Sequence, residues 1–368
     1  AAGHVVGQAS GQNALPEFTD AERAAIIRQG PWPMEFKPDP SNRVSGDTAT
    51  AALGFRLFFD ARLSRDAVMS CATCHRPERG FSEDLAVSEG RRTLTRNAPG
   101  LLNVRHNRWY GRDGGTDSLW ASSIRTFLKA EEFDTGPDAI KALLQADPEL
   151  REQVEAVFGP GAADADGEAV MVMLAKALAA FQETLVSERT AFDDFRDALA
   201  AGDDAAAALY PPDAARGARL FFGRGGCQTC HFGPLFTTGE FAEIGLPLFL
   251  PEGGVDKGRY VGVQLVKESR FNLLGPYNDD PARSTADKVR YLALKPRNWG
   301  EFAIPSLRNV SQTAPYMHDG SLATLADVVR HYNFIDPDRL HSKTGTRLQP
   351  LGLSDREIAD LVAFLETL

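Results

Sequence analysis

Apolar side chains return at helical spacing along much of this chain and mark its elements before any motif is considered. Near the C-terminus, Ile358, Leu361, Val362 and Leu365 form one stripe, the pattern of a helix with one face in a core. Ser354 and Glu357 ahead of the stripe make a capping box that sets where the helix begins. The segment 168–187, EAVMVMLAKALAAFQETLVS, is apolar around most of its circumference and predicts a buried helix. From Thr48 another amphipathic pattern carries Gly54-Phe55-Arg56-Leu57-Phe58-Phe59, and Gly217-Ala218-Arg219-Leu220-Phe221-Phe222 repeats its Gly-x-Arg-Leu-Phe-Phe. Two related helical units follow from that repeat.

Between the periodic stretches lie punctuated ones. Residues 1–46 contain Pro16, Pro31, Pro33, Pro38 and Pro40, which disfavours any helix beyond a short run at 20–28. This segment is expected as an extended arm laid over the surface. Pro211-Pro212 marks a boundary, and 250–300, rich in Gly, Pro and Asn, reads as mostly loop. The expected architecture is mainly α: an arm at 1–46, a first unit at 47–200 and a second at 201–368, its last helix free to pack back on the first.

Chemistry enters through four cysteines. Cys71-Ala72-Thr73-Cys74-His75 returns as Cys227-Gln228-Thr229-Cys230-His231, and the two motifs use every cysteine in the chain. Cys-x-x-Cys-His is the attachment pattern of c-type haem: two thiols form thioethers to the vinyl groups and the adjacent His lies beneath the iron. Two copies imply two covalently bound haem c groups. Each motif follows its Gly-x-Arg-Leu-Phe-Phe helix, so each unit carries one haem. Haem c is attached outside the bacterial inner membrane, which implies the periplasm. The N-terminal AAGHVVGQASGQNALPEF has no apolar targeting stretch and is expected to be a processed start.

With 43% hydrophobic and 24% charged residues the composition is that of an ordinary globular chain. A net charge of −10 argues against nucleic acid and anionic lipid as partners. No apolar run approaches the length of a membrane span.

What sits opposite each haem His decides its reactivity. Electron carriers usually place a Met there, yet the five Met are Met34, Met69, Met171, Met173 and Met317. None follows His75 at an ordinary distance, and His106 lies in a polar, loop-like run, so the first haem is expected to be open. For the second, Met317, His318, His331 and Tyr332 are all available from residue types alone.

The landmarks LSRDAVMSCATCH, RNAP, DGGTDSLW, CQTCH, IPSLRNV, PYMHDG and LVAFLETL together resemble the bacterial dihaem cytochrome c peroxidase and MauG family, from about Thr48 to Leu368. The resemblance implies two cytochrome c-like haem domains with long connecting loops, the first meeting hydrogen peroxide and the second handling electrons. It places the second axial ligand at Tyr332, with His331 as runner-up, where respiratory peroxidases have Met. A hard phenolate suits highly oxidised iron. The resemblance puts the distal acid at Glu132, with Glu131 next in register, and turns a Gln of MauG into Ser122. It implies Ca²⁺ between the haems, held by the Asn97 side chain and the carbonyls of Leu294 and Pro296.

Two departures stand out. Arg112 occupies the position of the family's inter-haem Trp, so that Trp109, Trp120 or Trp299 would have to replace it, and Gly225 occupies that of a substrate-facing Trp. The implied function is a MauG-like enzyme that uses hydrogen peroxide to oxidise a Trp or Tyr of a periplasmic partner protein through a high-valent dihaem state. The alternatives are a peroxidase fed by a small redox protein, and a non-enzymatic electron carrier, which the missing Met ligands disfavour.

Overall fold

The computed structural model describes residues 15–340 and 348–368, so part of the N-terminal arm lies outside the described residues. The elements run α1 (Asp20–Ile27), α2 (Thr48–Phe58), α3 (Cys71–Cys74), α4 (Leu119–Leu128), α5 (Pro137–Ala146), α6 (Pro148–Phe158), α7 (Gly167–Gln182), α8 (Ala191–Ala201), α9 (Asp204–Ala207), α10 (Pro212–Phe222), α11 (Arg259–Glu268), α12 (Asp287–Arg290), α13 (Leu325–Asn333) and α14 (Asp355–Leu365). Two-residue strands β1 (Phe241–Ala242) and β2 (Phe302–Ala303) pair antiparallel. The chain is mainly helical, as expected.

Two helix pairs anchor it. A Cβ at Gly54 of α2 would lie 2.0 Å from the Ala177 carbonyl oxygen of α7, and one at Gly217 of α10 would lie 2.0 Å from that of Asp360 on α14. Only glycine lets these backbones approach so closely, which explains the first residue of the repeat. The later positions fill the cores: Phe58 packs on Phe181 with ring centroids 5.1 Å apart, and Phe221 on Phe364 at 4.9 Å. Caps set the helix starts, with Asp47 accepting from Thr50 N–H before α2, Asp166 from Ala169 N–H before α7, and the Ser354–Glu357 box before α14.

Four expectations shift. The C-terminal helix packs in the second core with α10 and α13, because its stripe of Ile358, Leu361, Phe364 and Leu365 meets Phe221 and Val329 there. Helix α8 also belongs to that core through Phe192 and Phe195, so the second unit begins before 201. The arm is a strap rather than a surface ribbon. Its Ala25 and Ile26 are buried in the second core, while Trp32 Nε1 donates to Ser187 O and Asn42 Nδ2 to Lys176 O on the first. The 250–300 stretch, irregular by composition, holds the ten-residue α11, whose Val266 anchors a small third cluster with Trp109, Leu273, Ala286 and Val289. No helix among the described residues is long and apolar enough to cross a membrane.

Candidate haem sites

Each motif His projects into its own cavity, and the same local device orients both. His75 Nδ1 lies 3.0 Å from Phe81 O, and His231 Nδ1 lies 2.9 Å from Phe236 O. A carbonyl can only accept, so Nδ1 donates and Nε2 keeps its lone pair for a metal. Phe81 (φ 57°) and Phe236 (φ 52°) both take the left-handed conformation, uncommon for a bulky residue, which turns their carbonyls back onto the imidazoles. Burial lowers the pKa of both histidines, favouring the neutral, ligating form. The Cys71, Cys74 and Cys227 thiols are pushed up to about 12 by burial; they stay protonated and uncharged.

The first cavity, about 540 Å³, is lined by Cys71, Cys74, His75, Ser122, Thr126 and Glu132, among others. Neither His106 nor a Met downstream of His75 reaches it; His106 Nε2 instead accepts from Arg105 Nε at 3.2 Å. Met69, two residues before the motif, borders the cavity as part of the buried core. Glu132 Oε1 is 2.7 Å from Lys129 Nζ. Glu131 does not line the cavity, and its carbonyl accepts from Arg91 N–H. The register thus brings Glu132, not Glu131, to the cavity that His75 lines.

The second cavity, about 980 Å³, is lined by Cys227, Cys230, His231, Met317, His318, Val328, Val329 and Tyr332. His331 does not line it: its Nε2 bonds to Ile244 O at 2.7 Å. Burial raises the Tyr332 pKa, so its phenol is neutral. His318 stacks on Phe302 with centroids 3.5 Å apart and an interplanar angle of 12°, a packed rather than a reaching pose. Both cavities combine apolar walls, paired thiols and a carbonyl-oriented imidazole. These residues fit haem c, which would be held by Cys71, Cys74 and His75 in one cavity and by Cys227, Cys230 and His231 in the other.

Trp109, Arg112, Phe241, Ala303 and Pro305 line both cavities. Trp109 is buried at this junction, with the Arg259 guanidinium 4.2 Å from its ring on the way to Phe241 at 4.1 Å. Trp120 is core packing, its Nε1 donating to Ser41 Oγ, and Trp299 stands at the surface against Tyr260. Of the three, Trp109 alone borders the cavities. Gly225 cannot become Trp without backbone movement, since a Cβ there would lie 2.6 Å from Leu220 O.

The calcium set does not assemble. Asn97 is buried, but its Oδ1 accepts from Arg112 Nη2 at 2.6 Å and its Nδ2 donates to Pro315 O at 3.0 Å. Pro296 is exposed, its carbonyl accepts from Trp299 N–H, and neither it nor Leu294 lines a cavity. Two unit charges about 4 Å apart repel by about 4 kcal/mol at an effective dielectric of 20, and a divalent ion beside Arg112 would roughly double that. Calcium does not fit these residues. The sequence signal was Arg112 itself, a cation where the family has an uncharged ring.

A second repeat emerges from the fold. Asn103 and Asn309, both left-handed (φ 65° and 59°), donate their N–H to Leu185 O and Leu368 O. They belong to Leu-x-Asn-Val at 101–104 and 307–310, and their acceptors end the parallel Phe-x-Glu-Thr-Leu segments 181–185 and 364–368. The pairing carries through Tyr110/Tyr316, Arg112/His318 and Asp113/Asp319 to α4 and α13, where Thr126 matches Tyr332.

A family model for di-haem cytochrome c peroxidase matches residues 48–201. The chain is 35% identical over 319 residues to the methylamine utilization protein MauG of Methylorubrum extorquens, covering 86% of this chain and 77% of that one. It is also 35% identical over 350 residues to the cytochrome-c peroxidase IdrP1 of Denitromonas iodatirespirans, covering 91% and 85%. Among solved structures, a MauG-like protein associated with microbial copper homeostasis aligns at TM-score 0.68 and 25% identity, covering 92% and 95%. The diheme peroxidase BthA of Burkholderia thailandensis aligns at TM-score 0.70 and 25% identity, covering 90% and 89%.

Proposed function

The chain belongs to the di-haem cytochrome c peroxidase and MauG family, whose members are peroxide-dependent dihaem oxidoreductases, and on that premise we propose that it oxidises an aromatic side chain of a partner protein. Two haems and peroxide come with the family. Beyond that, the proposal is a MauG-type reaction: hydrogen peroxide takes two electrons and two protons from a Trp or Tyr and leaves as two waters.

The observation that supports it is the split between neighbours on α13: Tyr332 lines the second cavity, as His231 does, while His331 is tied to Ile244 O. Tyr332 and His231 would then hold the second iron, and His75 alone the first. Haem, when bound, supplies the iron that binds peroxide and stores oxidising equivalents. Glu132 would take a proton from the near peroxide oxygen and return it to the far one, with Lys129 holding the carboxylate at the rim. Attachment of both haems through thioethers, and hence a periplasmic setting, is part of the proposal.

The relatives named cytochrome-c peroxidase favour a second reading, in which a small redox protein supplies the electrons. Stopped-flow spectroscopy separates the two. Diferric protein mixed with stoichiometric peroxide should give a long-lived absorbance change without prior reduction. If the diferric form is inert and only the half-reduced form consumes peroxide, the peroxidase reading replaces this one.

A further inference from the structure

Arg112 is a buried guanidinium with no ion pair of its own among the described residues; the acids that act on it, Glu83 and Asp319, do so without a salt bridge. Its neighbour Asp113 is already saturated: Oδ1 accepts from Arg125 Nη1 and Gly115 N–H, and Oδ2 from Arg96 Nη1 and Arg125 Nη2, all at 2.8–2.9 Å. Arg96 in turn is paired with Asp256 at 2.6 and 2.8 Å. Among the described residues Arg112 has no ion pair. One amino group donates to Asn97 Oδ1, and its Nε is buried without a partner. Its carbonyl, accepting from Ala303 N–H at 2.9 Å, fixes the backbone to β2. Burial lowers its pKa only to about 10, so it is a cation at neutral pH.

An unpaired buried guanidinium is expensive unless the assembled protein brings an anion to it. Arg112 lines both cavities, and haem carries two carboxylates. We propose that Arg112 is the resident cation of the junction, standing beside Asn97 in place of a divalent ion and pairing with cofactor carboxylates, so that this protein works without calcium. The matching position in the second unit is His318, whose pKa is lowered by burial and which adds no fixed charge. This rests on the two cavities being haem sites and not on which reaction they run.

The test uses the purified dihaem protein, with haem content fixed first by pyridine haemochrome assay; fewer than two haems would sink the premise rather than the proposal. After dialysis against EGTA, elemental analysis should find calcium well below one equivalent. EPR spectra and both reduction potentials should be the same with EGTA and with added Ca²⁺. A stoichiometric chelator-resistant calcium, or a spectrum that changes on chelation, overturns the proposal. Arg112→Gln should lower both potentials, because a nearby cation favours the reduced, less positive haem, whereas Arg112→Lys should stay near the parent. If Gln and parent share both potentials, Arg112 is not the junction's cation. The chelation arm needs no variant, so it decides the question even if Arg112→Gln fails to fold.

Discussion

The two haem units are the same scaffold with different side chains turned to the cavity from equivalent positions. Each has a glycine crossing (Gly54, Gly217), a left-handed Phe whose carbonyl orients the motif His, and a left-handed Asn that ties its loop to the end of α7 or α14. Against this common frame α4 of the first unit presents Ser122 and Thr126, while α13 presents Val328 and Tyr332. Thr126 has the backbone placement of Tyr332 without its reach. In the proposed reaction a short hydroxyl would leave room for peroxide and water in the first cavity, and a phenol would fill the space and supply an oxygen in the second. On that proposal, one exchange of side chains on a repeated helix would divide labour between the haems.

The comparison breaks first at Glu132, an acid that borders the first cavity. Glu132→Gln should slow the reaction of diferric protein with peroxide by about 10²–10⁴-fold, the usual worth of a positioned general acid–base, while leaving EPR spectra unchanged. Equal stopped-flow rates would remove Glu132 from the chemistry.

Exchanging the distal residues sharpens it. Thr126→Tyr should convert the expected high-spin ferric signal of the first haem to low spin and abolish peroxide binding there. Tyr332→Met should raise the potential of the second haem and make the peroxide reaction depend on prior reduction, whereas His331→Ala should leave the haem spectrum alone. A spectral change in His331→Ala with none in Tyr332→Met would reverse the assignment of the ligand.

The shared frame is tested by Gly54→Ala and Gly217→Ala. Each forces a methyl into a carbonyl 2.0 Å away, and each should destabilise the protein by roughly 1–3 kcal/mol, read as a lower denaturation midpoint. A variant as stable as the parent would show that its helix pair separates freely.

The smallest effect expected is that of His318, the second unit's counterpart of Arg112. Its folded pKa is lowered by burial, so below an ordinary histidine pKa of about 6.5 the unfolded chain binds a proton that the native one does not. Stability should therefore fall as pH drops from about 6.5, by at most about 1.4 kcal/mol per unit. His318→Phe should flatten that limb of the denaturation profile; an identical limb would show that other groups govern it.

Much of this was legible in the residues. Two Cys-x-x-Cys-His motifs point to their cofactor because the pattern is local, and the caps at Asp47, Asp166 and Ser354 lie within three residues of the N–H groups they satisfy. The Leu-x-Asn-Val and Phe-x-Glu-Thr-Leu repeats were also present, but they flank unlike loops and only their shared hydrogen bond shows that they correspond. What the fold alone decided is orientation and partnership. Successive residues on a helix point about 100° apart, so His331 and Tyr332 are equal candidates until the packing of α13 turns one to Ile244 and the other to the haem cavity. Glu131 and Glu132 are separated in the same way by the turn after α4. The meeting of Asn97 with Arg112, and the saturation of Asp113 that leaves Arg112 unpaired, depend on side chains brought together by tertiary packing. No local pattern encodes such a contact, because its energy comes from neighbours that the chain reaches only once folded.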